Sequence, residues 1–273
     1  MKDLNQLIEV TYPYNSLKDI QTEDTTVTAT FEQELFDNSQ IAGVTLAEAG
    51  RHIAILGSLA VANINPVKNK HFYLASKATL IRVHDLPCND TSYKGVMKAI
   101  DFNKKNGVAE GAIYDQKGDV LYTALVQYSV LTVQLFERFF KKYKSSTFKS
   151  EGFSPYGDVV NLYDMNLCVD SSSASLGEVK QEWCLGHFDH YPALPVAQIS
   201  QGLMNLAAAQ NKLIKNKDKQ YCIKEVNMDA DSFIFAGEKL SFSSDYDTTR
   251  DCFKTKASTE ETKGAVSLKC WIY

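Results

Sequence analysis

The sequence predicts an α+β protein made of two similarly ordered halves. Three observations predict it. Runs rich in β-branched residues, bounded by turn residues, fill most of the chain. Two stretches, 43–62 (GVTLAEAGRHIAILGSLAVA) and about 195–214, are too long for strands and apolar on most sides, so they read as buried helices. The order of a strand, one long helix and a four-strand meander then occurs twice, which is a repeat of pattern more than of identity.

The elements follow in chain order. Residues 25–33, TTVTATFEQ, have the β-branched content of a strand, and the helix over 43–62 is stopped by Pro66. Strand-like runs cover 70–84, 93–103, 107–116 and 119–130, with Gly107 and the QKGD turn at 116–119 between the later ones. In 131–144, LTVQLFERFFKKYK, the apolar residues Leu131, Val133, Leu135, Phe136, Phe139 and Phe140 share a broad face. Lys141, Lys142 and Lys144 close the run, which predicts an amphipathic helix with cations at its C-terminus. Residues 145–157 are small, polar and turn-rich, and place the linker. The chain thus divides into residues 1–150, a first repeat with its connecting helix, and residues 151–273, a second repeat. In the second, strands are expected at 158–168, 174–184, 219–227, 231–242, 249–258 and 264–273, and the SSSAS run at 171–175 reads as a turn.

With 44% hydrophobic and 23% charged residues, the composition suits a globular protein with an adequate core. A net charge of −4 argues against nucleic acid or an anionic membrane as the main partner. The N-terminus, MKDLNQLIEVTYPYN, lacks the basic start and apolar core of a leader, and no apolar run of about 18 residues occurs, so the expected location is cytoplasmic. The cysteines are far apart with no CxxC spacing, as for free thiols in a reducing compartment.

One motif is specific. GHFDHYPALP, residues 186–195, resembles the His-Phe-Pro-x-x-Pro-x-x-Pro-Gly motif of the hotdog-fold 3-hydroxyacyl-thioester (acyl-carrier-protein) dehydratases. His187, Phe188, Pro192 and Pro195 match; Asp189 replaces a proline and Val196 a glycine. In that family a carboxylate follows fourteen residues after the histidine, where this chain has Gln201. A carboxamide cannot exchange a proton at neutral pH, so the second half lacks an acid. The first half offers the converse. IAGVTLAEAG, residues 41–50, resembles the family's helix start, with Gly43, Val44, Glu48 and Ala49 matching, and fourteen residues before Glu48 stands Glu34 instead of histidine. The resemblance implies a double hotdog, two antiparallel sheets each wrapped around a long central helix. It also implies one intact composite site, His187 with Glu48, beside a dead mirror of Glu34 with Gln201.

On that resemblance the expected activity is dehydration of 3-hydroxyacyl thioesters, on acyl carrier protein or coenzyme A, in fatty-acid or polyketide-type biosynthesis. Neutral His187 would be the base and protonated Glu48 the acid. The N–H of Val196 would face the thioester oxygen at a helix N-terminus, Pro195 having no N–H to offer. Gly43, Phe188 and Pro195 complete the expected substrate-binding set. The chemistry requires no organic cofactor or metal. The pseudo-dimer within one chain leaves room for a homodimer. A hotdog thioesterase or acyl-transfer enzyme, and a non-catalytic acyl-binding partner, are the alternatives. Plainer readings stand beside these: His187 as a loop histidine, Glu48 paired with Arg51 or His52, Asp189 as the acid, Cys184 as a nucleophile, and the KKYK cluster as a solvated helix end or a dock for an acidic carrier.

Overall fold

Strict alternation turns Val27, Ala29 and Phe31 of β2 (Thr26–Glu32) inward and leaves the threonines between them half-buried. The computed structural model describes residues 3–41, 43–84, 90–146, 153–216 and 220–273. The expected boundary at 150/151, the start of the strand at 219, Ala42 and Cys88 lie outside the described residues. Around β2 are β1 (Lys18–Glu23), β3 (His71–Arg82), β4 (Ser92–Asn103), β5 (Asn106–Tyr114) and β6 (Val120–Thr132). The later part of the chain adds β7 (Tyr163–Asn166), β8 (Ser171–Glu178), β9 (Ile223–Ala230), β10 (Lys239–Asp247), β11 (Cys252–Ser258) and β12 (Val266–Ile272).

These strands form one continuous 12-stranded antiparallel sheet, which corrects the expectation of two sheets each wrapped around a long helix. The reason lies in the edges. Were the halves separate, β3 and β9 would each end a sheet with a row of unpaired N–H and C=O groups. They pair instead, from Lys77 opposite Asp229 to Ile81 opposite Glu225. Periodicity predicts strands, but it says nothing of which edges meet. From each outer edge to this seam the order is β1-β2-β4-β5-β6-β3 and β7-β8-β10-β11-β12-β9.

Three α-helices complete the described fold: α1 (Leu46–Ile64), α2 (Val133–Phe139) and α3 (Val196–Lys215). α1 starts at Thr45, whose side chain accepts the Glu48 N–H at 3.2 Å. It lies against the sheet and against α3. Gly57 permits this closeness, since a Cβ there would overlap the Tyr128 hydroxyl. That hydroxyl instead donates to the Ala54 carbonyl at 2.9 Å. α3 starts at Pro195 with no side-chain cap and ends at Asn216 in a left-handed conformation. Among the described residues no helix is long and apolar enough to cross a membrane.

Local departures have local causes. The helix expected over 131–144 is short, because β6 continues through Thr132, whose side chain caps α2, and a 3-10 turn follows at Lys141–Tyr143. The SSSAS run is strand, not turn: Ser171 to Ser175 pair along β10 from Asp245 to Ser241. β1 escapes periodicity because it is an edge strand exposed on both faces.

Candidate active site

A cavity of about 390 Å³ lies at the seam, enclosed by α1, α3 and strands β3, β6 and β9. Its wall is mostly apolar, and His187, Tyr14, Arg51 and Ser200 are among the polar groups that line it.

His187 is held by its loop. Gly186 has φ +73°, and a Cβ there would strike the Thr11 carbonyl and come within 2.8 Å of the Tyr14 nitrogen. Through this glycine the N-terminal segment lies on the loop, with the Thr11 N–H donating to the Gly186 carbonyl at 2.8 Å. Nδ1 of His187 sits 2.8 Å from the Ala193 carbonyl. A carbonyl only accepts, so Nδ1 carries the hydrogen and Nε2 keeps its lone pair. The ring stacks on Phe188 at 4.0 Å and meets Tyr14 edge-on at 4.8 Å. Burial pushes the imidazole pKa down from 6.5 to about 4, against the pull of the Ala193 hydrogen bond. The ring is neutral at pH 7. Phe188 has φ +63°, a left-handed conformation costly for a bulky residue. Its ring is clamped by Phe72, Phe136 and Phe233. Next along the chain, Val196 and Ala197 line the cavity at the uncapped start of α3, where backbone N–H groups have no partner within the helix.

The structure does not bring the Glu48 carboxyl into this cavity. Its oxygens accept the N–H groups of Glu34 at 2.6 Å and Leu35 at 3.2 Å. Burial raises its pKa from 4.5 to about 7, opposed by those hydrogen bonds and by Arg51. What α1 presents to the cavity instead is Arg51, one turn on. Its Nη2 pairs with Glu34, donates to Ser16 Oγ at 3.4 Å and lies 3.9 Å from Glu48. The guanidinium sits 5.0 Å over the Tyr156 ring, and Nε and Nη1 have no hydrogen-bond partner among the described residues. His52, 3.0 Å from Nη2 and stacked on Phe31, has its pKa driven well below the usual value by burial. Glu34, Glu48 and His52 place ligand atoms within 4.8 Å of one another, a spacing that could hold a metal ion. The Arg51 guanidinium already occupies their midst, supplying the positive charge the carboxylates require.

The other expected residues fall outside the cavity. Pro195 caps α3. Gly43 gives its carbonyl to Gln33 at 2.8 Å. Gln201 is buried, with Oε1 accepting from the Val160 N–H at 3.2 Å. Glu34 is held by Ser16, Arg51 and Ser154. Asp189 is exposed and accepts from Thr11 Oγ1 at 3.3 Å; Cys184 is buried, and its thiol pKa is pushed far up by that burial. Lys142 and Lys144 pair with Glu261 and Glu137. Sequence reasoning missed Tyr14 and Arg51 as cavity groups. Arg51 left one signal, a lone cation inside an apolar helical run; Tyr14 left none.

No family model matches the sequence, and no curated protein matches it. Solved structures do. One is an acyl-ACP thioesterase from Bacteroides thetaiotaomicron, 12% identical, with a TM-score of 0.57 over 91% of this chain and 98% of that one. Another is the 12:0-ACP thioesterase from Umbellularia californica, 6% identical, TM-score 0.57, over 93% and 99%. A third, from Alicyclobacillus acidocaldarius, is a protein of hot dog fold, 10% identical, TM-score 0.56, over 97% and 98%. At these identities the likeness shows a shared hotdog fold and does not single out the dehydratases. It overturns the expected hydro-lyase of fatty-acid or polyketide biosynthesis, since the two enzymes named are thioesterases, which are hydrolases. The geometry gives a physical reason for the same correction. Dehydration needs a base and an acid facing one ligand, and the Glu48 carboxyl is spent on two backbone amides outside the cavity.

Proposed function

We propose that the protein hydrolyses acyl thioesters, its two halves, 1–150 and 151–273, acting as paired hotdog repeats in one chain. The observation that carries this reading is the seam cavity: a mostly apolar chamber lined both by a neutral histidine and by Val196 and Ala197 at the uncapped start of α3. Water held by His187 Nε2 attacks the thioester carbonyl carbon and gives its proton to that nitrogen. The oxygen gains negative charge facing the N–H groups of Val196 and Ala197, each such donor contributing roughly 10²–10³ in rate. The C–S bond then breaks, the acid is released, and the imidazolium returns the proton to the departing thiolate. A pKa near 4 makes His187 a weak base but a strong proton donor once charged, which suits the second step. The thiol belongs to a pantetheine arm, of coenzyme A or of an acyl carrier protein. Phe188 walls the reacting group. Glu48 acts at one remove, holding the 34–35 loop and Arg51 in place, while Pro195 and Gly43 set the starts of the two long helices.

The test is incubation with saturated and with 3-hydroxyacyl-CoA thioesters, following free thiol and the acyl product by mass spectrometry. The expected result is free acid, with His187→Ala lowering kcat/KM by about 10² or more. An unchanged thioester, or loss of water from a 3-hydroxyacyl thioester with the thioester intact, would overturn the proposal.

A further inference from the structure

We infer that Met204 is the stop that sets acyl chain length, closing the cavity together with Leu80 and Val226. This rests on the hydrolase reading of the same site. The two ends of the cavity differ. At one end Asp231 is exposed, and Ser76, Phe140, Ser232 and Phe233 are partly exposed, so this end opens to solvent. At the other, reached along β3 and β9, Leu80 and Val226 are 5% and 3% exposed and Leu46 beside them in the lining 4%, so this end is shut; Met204, 2% exposed, faces the cavity from α3. Leu80 and Val226 sit directly opposite each other across the β3–β9 seam. Gly50 brings α1 down on them, its Cβ position only 3.3 Å from a Leu80 methyl.

The reacting groups lie towards the open end. Phe188, next to His187, packs on Phe72 at 5.0 Å and Phe233 at 5.8 Å. A thioester seated on the Val196 amide therefore has its pantetheine arm leaving past Phe140 and Phe233, and its acyl chain running inward along α3. That face of α3 carries Val196, Ala197, Ser200 and Met204. From Val196 to Met204 the helix rises about 12 Å. An extended chain advances about 1.2 Å per bond, so about eight to ten carbons reach the stop. The substrate class is a medium-chain saturated acyl thioester. An unbranched, adaptable methionine at the stop tolerates exchange without rebuilding the wall.

The test is kcat/KM for acyl-CoAs of four to sixteen carbons with wild type, Met204→Ala and Met204→Phe. Wild type should peak near eight to ten carbons. Met204→Ala should move the peak at least two carbons longer and gain about tenfold on the longer chain, since each newly buried methylene is worth about fourfold. Met204→Phe should move it shorter, and butyryl-CoA should change less than about twofold in both. An unmoved peak, or an equal loss at every length in variants that melt like wild type, would overturn the inference. Non-hydrolysable thioether analogues of the same lengths, titrated by calorimetry, separate the two proposals. A length optimum that shifts with Met204 but no turnover rejects the hydrolase and keeps the stop; affinity indifferent to length rejects the stop.

Discussion

Replacing Glu48 by glutamine should make the protein progressively more stable than wild type as pH rises from 4.5 to 7. The carboxyl is 4% exposed, and burial raises its pKa from 4.5 to about 7. A group whose pKa is higher folded than unfolded contributes stability that is complete below the unfolded value and is lost as pH climbs through the folded one. At about 1.4 kcal/mol per pH unit, that interval corresponds to about 3 kcal/mol. Glutamine has the same shape and never ionises. Its Oε1 can still accept the Glu34 N–H, while its NH2 faces the Leu35 N–H and loses that bond. The lost bond is a constant offset of about 1 kcal/mol against the variant. The pH-dependent part is therefore clean. Urea unfolding of both proteins at pH 4.5, 5.5, 6.5 and 7.5 should show their stability difference swing by about 3 kcal/mol towards Glu48→Gln, levelling above pH 7. A difference that stays flat across the series, or swings the other way, would mean that ionised Glu48 is fully satisfied by Arg51 and the two amides, and the account of this carboxyl would be wrong.

His187 should show the opposite limb. Its pKa is depressed from 6.5 to about 4, so relative to His187→Gln the wild type should lose about 3 kcal/mol as pH falls through that range, and kcat/KM should fall with an apparent pKa near 4. Arg51→Leu, which strands a carboxylate, should cost about 3 kcal/mol in urea unfolding, and adding Glu34→Leu should recover most of it. Gly186→Ala sets a Cβ against the backbone of Thr11 and Tyr14 at φ +73°. It should lower the melting temperature by several degrees, as a cost of about 1–2 kcal/mol implies. It should also reduce kcat/KM about tenfold by shifting the neighbouring imidazole.

Much of the fold was legible because its long elements carry strong periods. α1 and α3 announce themselves as apolar runs beyond strand length, and strands such as β2 and β12 alternate cleanly. What periodicity cannot encode is pairing between distant edges, so the β3–β9 union and the single sheet were invisible. Of the site, His187 stood out through its glycine and prolines, residues with fixed backbone demands. Glu48 stood out by spacing alone, and spacing does not say which way a carboxyl turns. It turned to the Glu34 and Leu35 amides, because a buried carboxylate needs donors and a loop start offers two.

The position fourteen residues before Glu48 gives the asymmetry a physical basis. Glu34 stands there, and two neighbouring carboxyl groups disfavour ionising together unless a cation lies between them. Arg51 is that cation. Glu34 gathers Arg51 of α1, Ser16 of the N-terminal segment and Ser154 of the second half, while its own N–H holds Glu48. At the matching place in the second half, His187 instead rests on a carbonyl and two aromatic rings, a setting that keeps it neutral. On the proposed reading one half-site became an ionic strut and the other kept a proton acceptor. Of the strut only Arg51 lines the cavity, so exchanging Glu34 for histidine would leave Arg51 unbalanced before it restored any second reactive centre.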